Sequence, residues 1–336
     1  MTERMEDVAR WVSEQYGTVD SIVPIAGDAS ARDFYRVKHN GRSVVVMDSS
    51  RTPLWPWLDI YNLLKGMDFP LPEVLLSDES LGYVIQEDLG TIRLCDIEDQ
   101  GSYHKYLNES LSLLRRLQRE ITPEISSNSI SGRRYFTPSF FMAELEQTLE
   151  HLFFRLLRVP VDELSELQVL FRELSERAMG SGITSFTHRD FHSANLMIHK
   201  GKVHIIDWQD ARYGPPCYDL SSLLRDSYRD CGDGWKGLAS SYILGISGAN
   251  LFEFVFSALQ RNMKAVGTFA YQYRALGKDK YLKYIPQTLR YLEDYSKVCP
   301  AVKPTVDTVI NLVEMYTGEI DLRYFRDSDS PVKINL

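Results

Sequence analysis

The stretch from His188 to Asp210, HRDFHSANLMIHKGKVHIIDWQD, is the most informative part of this chain. Magnesium prefers hard oxygen ligands and usually keeps several waters, so one or two carboxylates and an amide oxygen suffice on the protein side. Asn195 and Asp207 could supply these oxygens. Between them, Lys200-Gly201 is a turn signal flanked by two short apolar runs, which predicts a β-hairpin that presents Asp207 at its end.

The same stretch contains a residue suited to phosphoryl transfer. This reaction needs a group that orients the attacking hydroxyl and accepts its proton, and kinases place an aspartate five residues before the metal-binding asparagine. Asp190 has this position relative to Asn195. Each such residue alone is more often a turn former or a helix cap than a catalyst. The joint spacing of Asp190, Asn195 and Asp207 indicates a kinase, with Asp190 as catalytic base and the other two as magnesium ligands.

Composition narrows the class of protein. The chain has 336 residues, 44% of them apolar and 25% charged, which is ordinary for a globular protein with room for two lobes. A formal net charge of -8 without a long Lys/Arg block argues against nucleic-acid and membrane partners and favours a small-molecule substrate. The cysteines are scattered, the N-terminus lacks an apolar signal segment, and the most apolar run, 251–259, is too short to span a bilayer. We therefore expect a cytoplasmic protein.

Secondary-structure signals change character near residue 90. Strand-like runs occupy 21–25, 33–38, 43–47 and 82–87, and a helix is predicted at 54–67. Asn40-Gly41 lies between two of these runs and is a strong hairpin signal. Beyond Gly90 the apolar spacing becomes helical, and 121–137 is predicted as a loop that could cover a substrate. The chain is predicted to have an α+β fold with a β-rich lobe at 1–90 and a mainly helical lobe at 91–336.

These motifs resemble the aminoglycoside phosphotransferase and choline kinase superfamily, which is related to protein kinases, over most of the chain. Several segments are similar to the bacterial cell-wall sugar kinases in particular: GDASARDFYRV from Gly27, EDLG from Glu87, HRDFHSANLM from His188, DWQDA from Asp207 and ALQRNMKAVGTFA from Ala258. Those enzymes phosphorylate the anomeric hydroxyl of N-acetylmuramate and N-acetylglucosamine in peptidoglycan recycling. The resemblance implies a two-lobed, protein-kinase-like fold, with Mg2+ and ATP as cofactors and a small amino sugar as acceptor.

The resemblance also implies how the nucleotide binds. The N-terminal lobe, 1–90, is expected to hold ATP, with the Gly27 to Ser30 turn over the phosphates and Ser30 as a hydrogen-bond donor. Glu87 and Leu89 are expected to belong to the hinge whose backbone pairs with adenine. The C-terminal lobe, 91–336, is then the catalytic and substrate-binding lobe.

The acceptor side rests on residues close to the catalytic loop. His188 is expected to support the catalytic loop. His192 is expected either to touch the substrate or to pack under the loop. Gln209 and Asp210 follow Asp207 by two and three residues, so either could face the acceptor, and Asp210 is our choice for a sugar contact. Asp219 stands at the start of a helical stripe, where it either caps that helix or braces the loop.

One position departs from the kinase pattern. Kinases of this type carry a lysine on the third strand that pairs with the nucleotide phosphates, and Met47 stands at that position, while the next helix offers only Asp59 as a partner. Either another cation takes over, or the protein is a nucleotide-binding pseudokinase. Because the similar sugar kinases also have a hydrophobic residue there, we favour an active enzyme. The nearby cations are Arg32, Arg36, Lys38 and Arg42.

Other acceptors and one other enzyme class stay open. Aminoglycosides, choline and homoserine would use the same machinery. A metal-dependent hydrolase is suggested by the four histidines between 188 and 204, because imidazole and carboxylate ligands can activate water. Strand alternation argues against it, since it predicts that His199 and His204 diverge.

Overall fold

The computed structural model describes residues 3–25, 32–124, 129–246 and 248–317. These residues form two compact units. Unit one contains the described residues within Met1–Ser110, Ser126–Ile130 and Ala194–Asp210, and unit two contains those within Leu111–Ile125, Ser131–Ser193 and Ala211–Leu336. The assignment of separate lobes to 1–90 and 91–336 stays a prediction.

An antiparallel five-stranded sheet forms the centre of unit one. Its strands are β1 (Ser21–Ile25), β2 (Asp33–His39), β3 (Arg42–Asp48), β4 (Val74–Asp78) and β5 (Tyr83–Glu87), in the spatial order β1-β2-β3-β5-β4. Asn40 and Gly41, with φ of 46° and 71°, form the turn between β2 and β3. Two successive positive φ values match the twist of a tight hairpin, so the predicted Asn-Gly hairpin is confirmed. Pro24 lies in the edge strand β1, where the missing N–H is tolerated.

Helix α1 (Glu3–Tyr16) packs on one face of this sheet. Val8, Trp11 and Val12 lie on one side of α1 and join the buried sheet residues Val46 and Ile85 in a single apolar core. Alternation along β3 then places Met47, which follows Val46, on the opposite face. Neither α1 nor β4 was predicted from the sequence.

Helix α2 (Trp55–Gly66) and a second hairpin complete the part of unit one that positions the site. Strands β7 (Leu196–His199) and β8 (Lys202–Ile205) pair in antiparallel register, as the Lys200-Gly201 signal predicted. The helix matches the predicted 54–67 segment to within one residue at each end. Both elements lie where local sequence signals placed them.

Unit two is mainly helical. Its longest helix, α10 (Leu251–Leu276), begins at Asn250, whose side chain accepts hydrogen bonds from the N–H groups of Phe252 and Glu253, and ends at Gly277 with a φ of 65°. Asparagine at the start and a left-handed glycine at the end are favoured caps. A short pair of strands, β6 (Ser185–Thr187) and β9 (Arg212–Gly214), precedes and follows the two segments that carry the predicted catalytic residues.

The remaining helices precede or follow α10 along the chain. They are α3 (Gln100–Arg116), which begins in unit one, α4 (Thr122–Glu124), α5 (Ile130–Arg133), α6 (Pro138–Thr148), α7 (Ser165–Arg177), α8 (Cys217–Leu224), α9 (Trp235–Ile243), α11 (Tyr284–Val298) and α12 (Lys303–Thr317). Wider π-helical turns at Leu117–Ile121 and Leu149–Leu156 follow α3 and α6. The prediction of a loop at 121–137 is wrong where α4 and α5 lie within it, and residues 125–128 lie outside the described ranges.

Two observations bear on the environment of the protein. All four cysteines are free thiols, and Cys217, Cys231 and Cys299 are buried. Within the described ranges, no helix combines the length and the apolar character needed to cross a bilayer.

Candidate active site

The β7–β8 hairpin brings Asn195 and Asp207 together at its open end. Leu196 pairs with Ile205, and the Ile206 N–H donates to the Asn195 carbonyl over 3.1 Å. The register therefore places the residues on either side of the hairpin next to each other. The Asn195 Nδ2 donates to Asp207 Oδ2 at 3.2 Å. The hairpin thus brings two residues that are twelve positions apart in sequence into hydrogen-bond contact, as predicted.

The residue after Asp207 anchors it. Trp208 is fully buried, donates from Nε1 to the Trp57 carbonyl at 3.1 Å, and has its ring 4.9 Å from that of Trp57. Asp207 itself is exposed and has a φ of 67°, a left-handed conformation that is uncommon for residues other than glycine, although aspartate tolerates it. The buried Trp208 therefore anchors the backbone next to an exposed Asp207.

The Asn195–Asp207 pair fits a magnesium ion. Asp207 accepts hydrogen bonds from neutral amides on both oxygens, from Asn195 on Oδ2 and from the Gln209 Nε2 on Oδ1 at 2.7 Å. An exposed carboxylate beside an amide oxygen is the hard-oxygen donor set that magnesium accepts while keeping waters. The fit rests on these two side chains.

The predicted hinge residues connect the first sheet to the hairpin. The Glu87 carboxylate lies 3.1 Å from Lys200 Nζ and 3.3 Å from His199 Nε2. The Leu89 carbonyl accepts a hydrogen bond from His199 Nδ1 at 3.1 Å. These contacts fix the hinge segment against β7, whereas the pairing of its backbone with adenine stays a prediction. Ser30, the predicted phosphate donor, lies outside the described residues.

Met47 lies in β3 and is completely buried, opposite Phe34 and Val84. No strand lysine can therefore act from this position. Asp59 of α2 instead accepts a hydrogen bond from the Ile130 N–H at 2.8 Å.

The four cations near Met47 in sequence differ in their contacts. Arg36 donates two hydrogen bonds to the Asp88 carboxylate, from Nε at 2.7 Å and from Nη2 at 3.0 Å. Because Asp88 lies between Glu87 and Leu89, this guanidinium stabilises the hinge segment. Arg32 donates from Nε to Ser49 Oγ at 3.2 Å, and Lys38 and Arg42 are exposed. Arg36 is therefore committed to the hinge segment through Asp88.

In unit two, Asp219 braces the catalytic loop. Its Oδ2 accepts from the His188 N–H at 2.6 Å and its Oδ1 accepts from the Arg189 N–H at 2.9 Å. Desolvation raises the pKa of Asp219 to about 7, although both backbone N–H groups oppose this shift. Helix α8 begins at Cys217 after Pro216, so Asp219 lies inside its first turn. Of the two readings of Asp219, the loop brace is correct and the helix cap is wrong.

Asp190 projects from this loop with a quarter of its side chain exposed. Lys264 Nζ lies 3.1 Å from Asp190 Oδ1, and Arg261 Nη2 lies 3.5 Å from the same oxygen. Desolvation would raise the pKa of Asp190, but the charges of Lys264, Arg189 and Arg261 outweigh it and hold the pKa well below its ordinary value. The predicted base is therefore ionised and ready to accept a hydrogen bond from a hydroxyl.

Glu144 of α6 ties the loop to α10. Arg189 Nη2 donates to Glu144 Oε1 and Gln260 Nε2 donates to Glu144 Oε2, each at 3.0 Å. Glu144, Arg261 and Lys264 were not predicted as site residues from the sequence. The available signal was the pair of cations three residues apart in a helix rich in apolar residues, a spacing that places both on one face.

The two predicted acceptor contacts belong to different units. His192 in unit two is partly exposed, and its ring lies 5.0 Å from that of Tyr228. Desolvation, assisted by Arg261, lowers the pKa of His192 to about 3, so the imidazole is neutral. Asp210 in unit one is partly exposed. Contact of either side chain with an acceptor stays a prediction.

The histidines give no support to a metal hydrolase. The rings of His199 and His204 lie 5.6 Å apart, so the prediction that they diverge is wrong. The reason is that the tight turn places these residues diagonally across the hairpin, where ring-sized side chains meet. Even so, the described part of the chain contains no group of three or more His, Cys, Asp or Glu side chains that could hold a metal ion.

Comparison with known proteins adds an independent line of evidence. The sequence profile of the phosphotransferase enzyme family, APH, matches residues 21–242. An N-acetylmuramate/N-acetylglucosamine kinase of Neisseria meningitidis serogroup B is 29% identical over 94% of this chain and 99% of its own length. A protein of the same name from Pseudomonas aeruginosa is 26% identical over 84% of this chain and 86% of its own length.

A solved structure shows the same fold. Choline kinase LicA from Streptococcus pneumoniae superposes with a TM-score of 0.61 at 15% identity, covering 86% of this chain and 98% of that chain. LicA has also been crystallised in complex with AMP. The likeness confirms the predicted protein-kinase-like α+β fold.

Proposed function

Because this chain belongs to the phosphotransferase enzyme family, we propose that it transfers the γ-phosphoryl group of ATP to the anomeric hydroxyl of N-acetylmuramate or N-acetylglucosamine. The observation that carries the proposal is the match of nearly the whole chain to a kinase named for these two sugars. The site supports it with an ionised Asp190 and a paired Asn195 and Asp207.

Asp190 orients the acceptor and receives its proton. An aspartate held well below its ordinary pKa is a weak base, so its first role is to hold the hydroxyl in line, and the proton moves late. Asp219 supports this role because it fixes the backbone at His188 and Arg189, directly before Asp190. Asn195 and Asp207 would hold magnesium, which supplies neutralisation of charge on the transferred phosphoryl group.

The remaining predicted residues complete this reading. Ser30 would donate to the phosphates, and the backbone at Glu87 and Leu89 would pair with adenine, in line with the AMP complex of LicA. His192 and Asp210 would contact the sugar. Free cysteines, three of them buried, support a reducing cytoplasm as the location.

Met47 favours one alternative, a nucleotide-binding pseudokinase. The buried methionine removes the strand lysine that kinases use on the phosphates. The ionised Asp190, paired with Lys264, and the Asn195–Asp207 pair are the observations that speak for catalysis instead.

The deciding experiment is an ADP-release assay with a panel of acceptors. N-acetylmuramate, N-acetylglucosamine, choline, homoserine and kanamycin are each supplied with Mg-ATP. We expect turnover with the amino sugars, and a drop of kcat by ~10²–10⁴-fold in Asp190→Asn, the usual loss when general-base function is removed. Asp307→Asn, an exposed aspartate on α12, is the matched control and should behave as wild type.

Three outcomes would count against the proposal. Turnover confined to choline, homoserine or kanamycin would replace the acceptor. No turnover with any acceptor, combined with intact nucleotide binding, would support the pseudokinase. Wild-type kcat in a folded Asp190→Asn variant would remove Asp190 from the reaction.

A further inference from the structure

Two cations of α10 lie against the catalytic loop. Arg261 and Lys264 are three residues apart on one face of the helix, and both approach Asp190 Oδ1. The Lys264 side chain is only 14% exposed. Lysine is almost never buried to this degree unless its ammonium is paired, because desolvating the charge is costly. The pairing of Lys264 with Asp190 therefore places a largely buried positive charge beside the reacting group.

The contacts of the neighbouring groups distinguish Lys264 from Arg261. Arg261 is anchored, since its Nε donates to Ser222 Oγ at 3.1 Å. Glu144 already accepts hydrogen bonds from Arg189 and Gln260 at 3.0 Å each, whereas Lys264 Nζ lies 3.7 Å from Glu144 Oε1. The principal contact of Lys264 is therefore Asp190. A lysine ammonium on a flexible stem can exchange one anionic partner for another more easily than an anchored guanidinium can.

The distance from Lys264 to the acceptor oxygen follows from the role of Asp190. A hydroxyl that hydrogen-bonds the base lies about 3 Å from its carboxylate. Because Lys264 Nζ is 3.1 Å from Asp190 Oδ1, the acceptor oxygen lies within about 6 Å of the ammonium by simple addition. The phosphorus becomes bonded to that same oxygen, so the new phosphate group arises within reach of the lysine side chain.

We propose that Lys264 is a further catalytic residue, whose ammonium moves from Asp190 to the phosphate group as the sugar phosphate forms. The inference rests on the proposed function. In this step the bond between the acceptor oxygen and the γ-phosphorus forms, the bond from that phosphorus to the ADP oxygen breaks, and the acceptor proton passes to Asp190. Protonation removes the negative charge that held Lys264, while a new anion appears beside it. Lys264 thus stabilises the product side of the transfer.

The test separates phosphate contact from simple support of Asp190. Calorimetry without nucleotide compares the affinity for N-acetylglucosamine 1-phosphate with that for N-acetylglucosamine, in wild type, Lys264→Met and Lys264→Arg. Lys297→Met, an exposed lysine of α11, is the matched control. We expect wild type, Lys264→Arg and the control to prefer the phosphate ester by about 10- to 100-fold, the value of one hydrogen bond to a charged group. Lys264→Met should lose most of that preference and bind the parent sugar as before.

Steady-state kinetics give the second readout. We expect Lys264→Met to lower kcat by ~10²-fold, as the loss of one electrostatic contact to a transition state does, with little change in the KM for the sugar. A residue that only supports the fold would lower the melting temperature and raise KM instead.

The outcomes for Lys264 and for the proposed function are distinguishable. A full phosphate preference in Lys264→Met, or none in wild type, overturns the role of Lys264 and leaves the sugar-kinase proposal intact. If the acceptor panel identifies a different alcohol, the sugar proposal fails, and the phosphate ester of that alcohol replaces the sugar phosphate in the same comparison. If the panel gives no turnover at all, both proposals are overturned.

Discussion

Replacing Gly267 by alanine should destabilise the protein even though alanine is the better helix former. Gly267 lies in the middle of α10, where the helix meets the end of α6 at Thr148. A Cβ at Gly267 would lie 2.3 Å from Thr148 Oγ1 and 2.7 Å from its Cα. Because one of these atoms belongs to the backbone, no side-chain rotation relieves the clash. The two helices must separate.

The magnitude follows from three contributions. Alanine gains about 1 kcal/mol over glycine in a helix interior. Overpacking costs about 1–3 kcal/mol. Separation also strains the buried hydrogen bond from Thr148 Oγ1 to the Met263 carbonyl, which is 2.8 Å long, and leaving such a group unsatisfied costs about 1–3 kcal/mol. We expect a net loss of about 1–5 kcal/mol in the free energy of unfolding.

Urea unfolding followed by circular dichroism measures this loss, with Gly237→Ala as the matched control. Gly237 lies inside α9, and nothing lies within 4 Å of a Cβ added there. The control should therefore gain up to about 1 kcal/mol of stability, so the two glycines should respond with opposite signs. A Gly267→Ala variant as stable as wild type would refute the argument from close approach. Activity offers a second check, because α10 also carries Lys264, and displacements of about 1 Å at a catalytic group can cost ~10²-fold in rate.

Three further predictions concern the site. Asp207→Ala should abolish the dependence of nucleotide binding on magnesium. An ATP affinity that is unchanged from wild type across a magnesium titration would contradict this role. Asp219→Ala should leave the N–H groups of His188 and Arg189 without their acceptor, at a cost of about 1–3 kcal/mol each. The variant should also have a lower kcat with little change in the KM for ATP. A wild-type kcat would show that Asp219 does not position the loop. Because the pKa of His192 is lowered to about 3 from about 6.5 in an unfolded chain, its contribution to stability is complete above pH ~6.5 and is lost as the pH falls toward 3. His192→Gln should flatten this part of the melting-temperature curve, and an unchanged slope would show that other groups cause it.

The parts of the fold that sequence predicted depend on short-range geometry. Asn40-Gly41 and Lys200-Gly201 require positive φ at successive residues, and this requirement identifies a hairpin from the residues alone. The hairpin register then places Asn195 beside Asp207. Helix α1 carried a readable signal in the spacing of Val8, Trp11 and Val12, which went unused.

What escaped prediction depends on long-range contacts. Strand β4 exposes Leu75, so its apolar pattern lacks the polar alternation expected of a half-buried strand. Lys264 lies 74 residues after Asp190, and only the packing of α10 against the catalytic loop brings them together. The proposed base and the proposed metal pair were predictions from the sequence, whereas the cations that lower the pKa of Asp190 could not be identified from it.

The buried contact between Trp208 and Trp57 has a practical consequence for the study of this protein. Trp208 directly follows the proposed metal ligand Asp207, and its indole is 4.9 Å from that of Trp57. If Asp207 holds magnesium as proposed, a shift of its backbone on cation binding would be transmitted to this buried pair of indoles. The intrinsic fluorescence of the protein would then report metal occupancy without a label and without turnover.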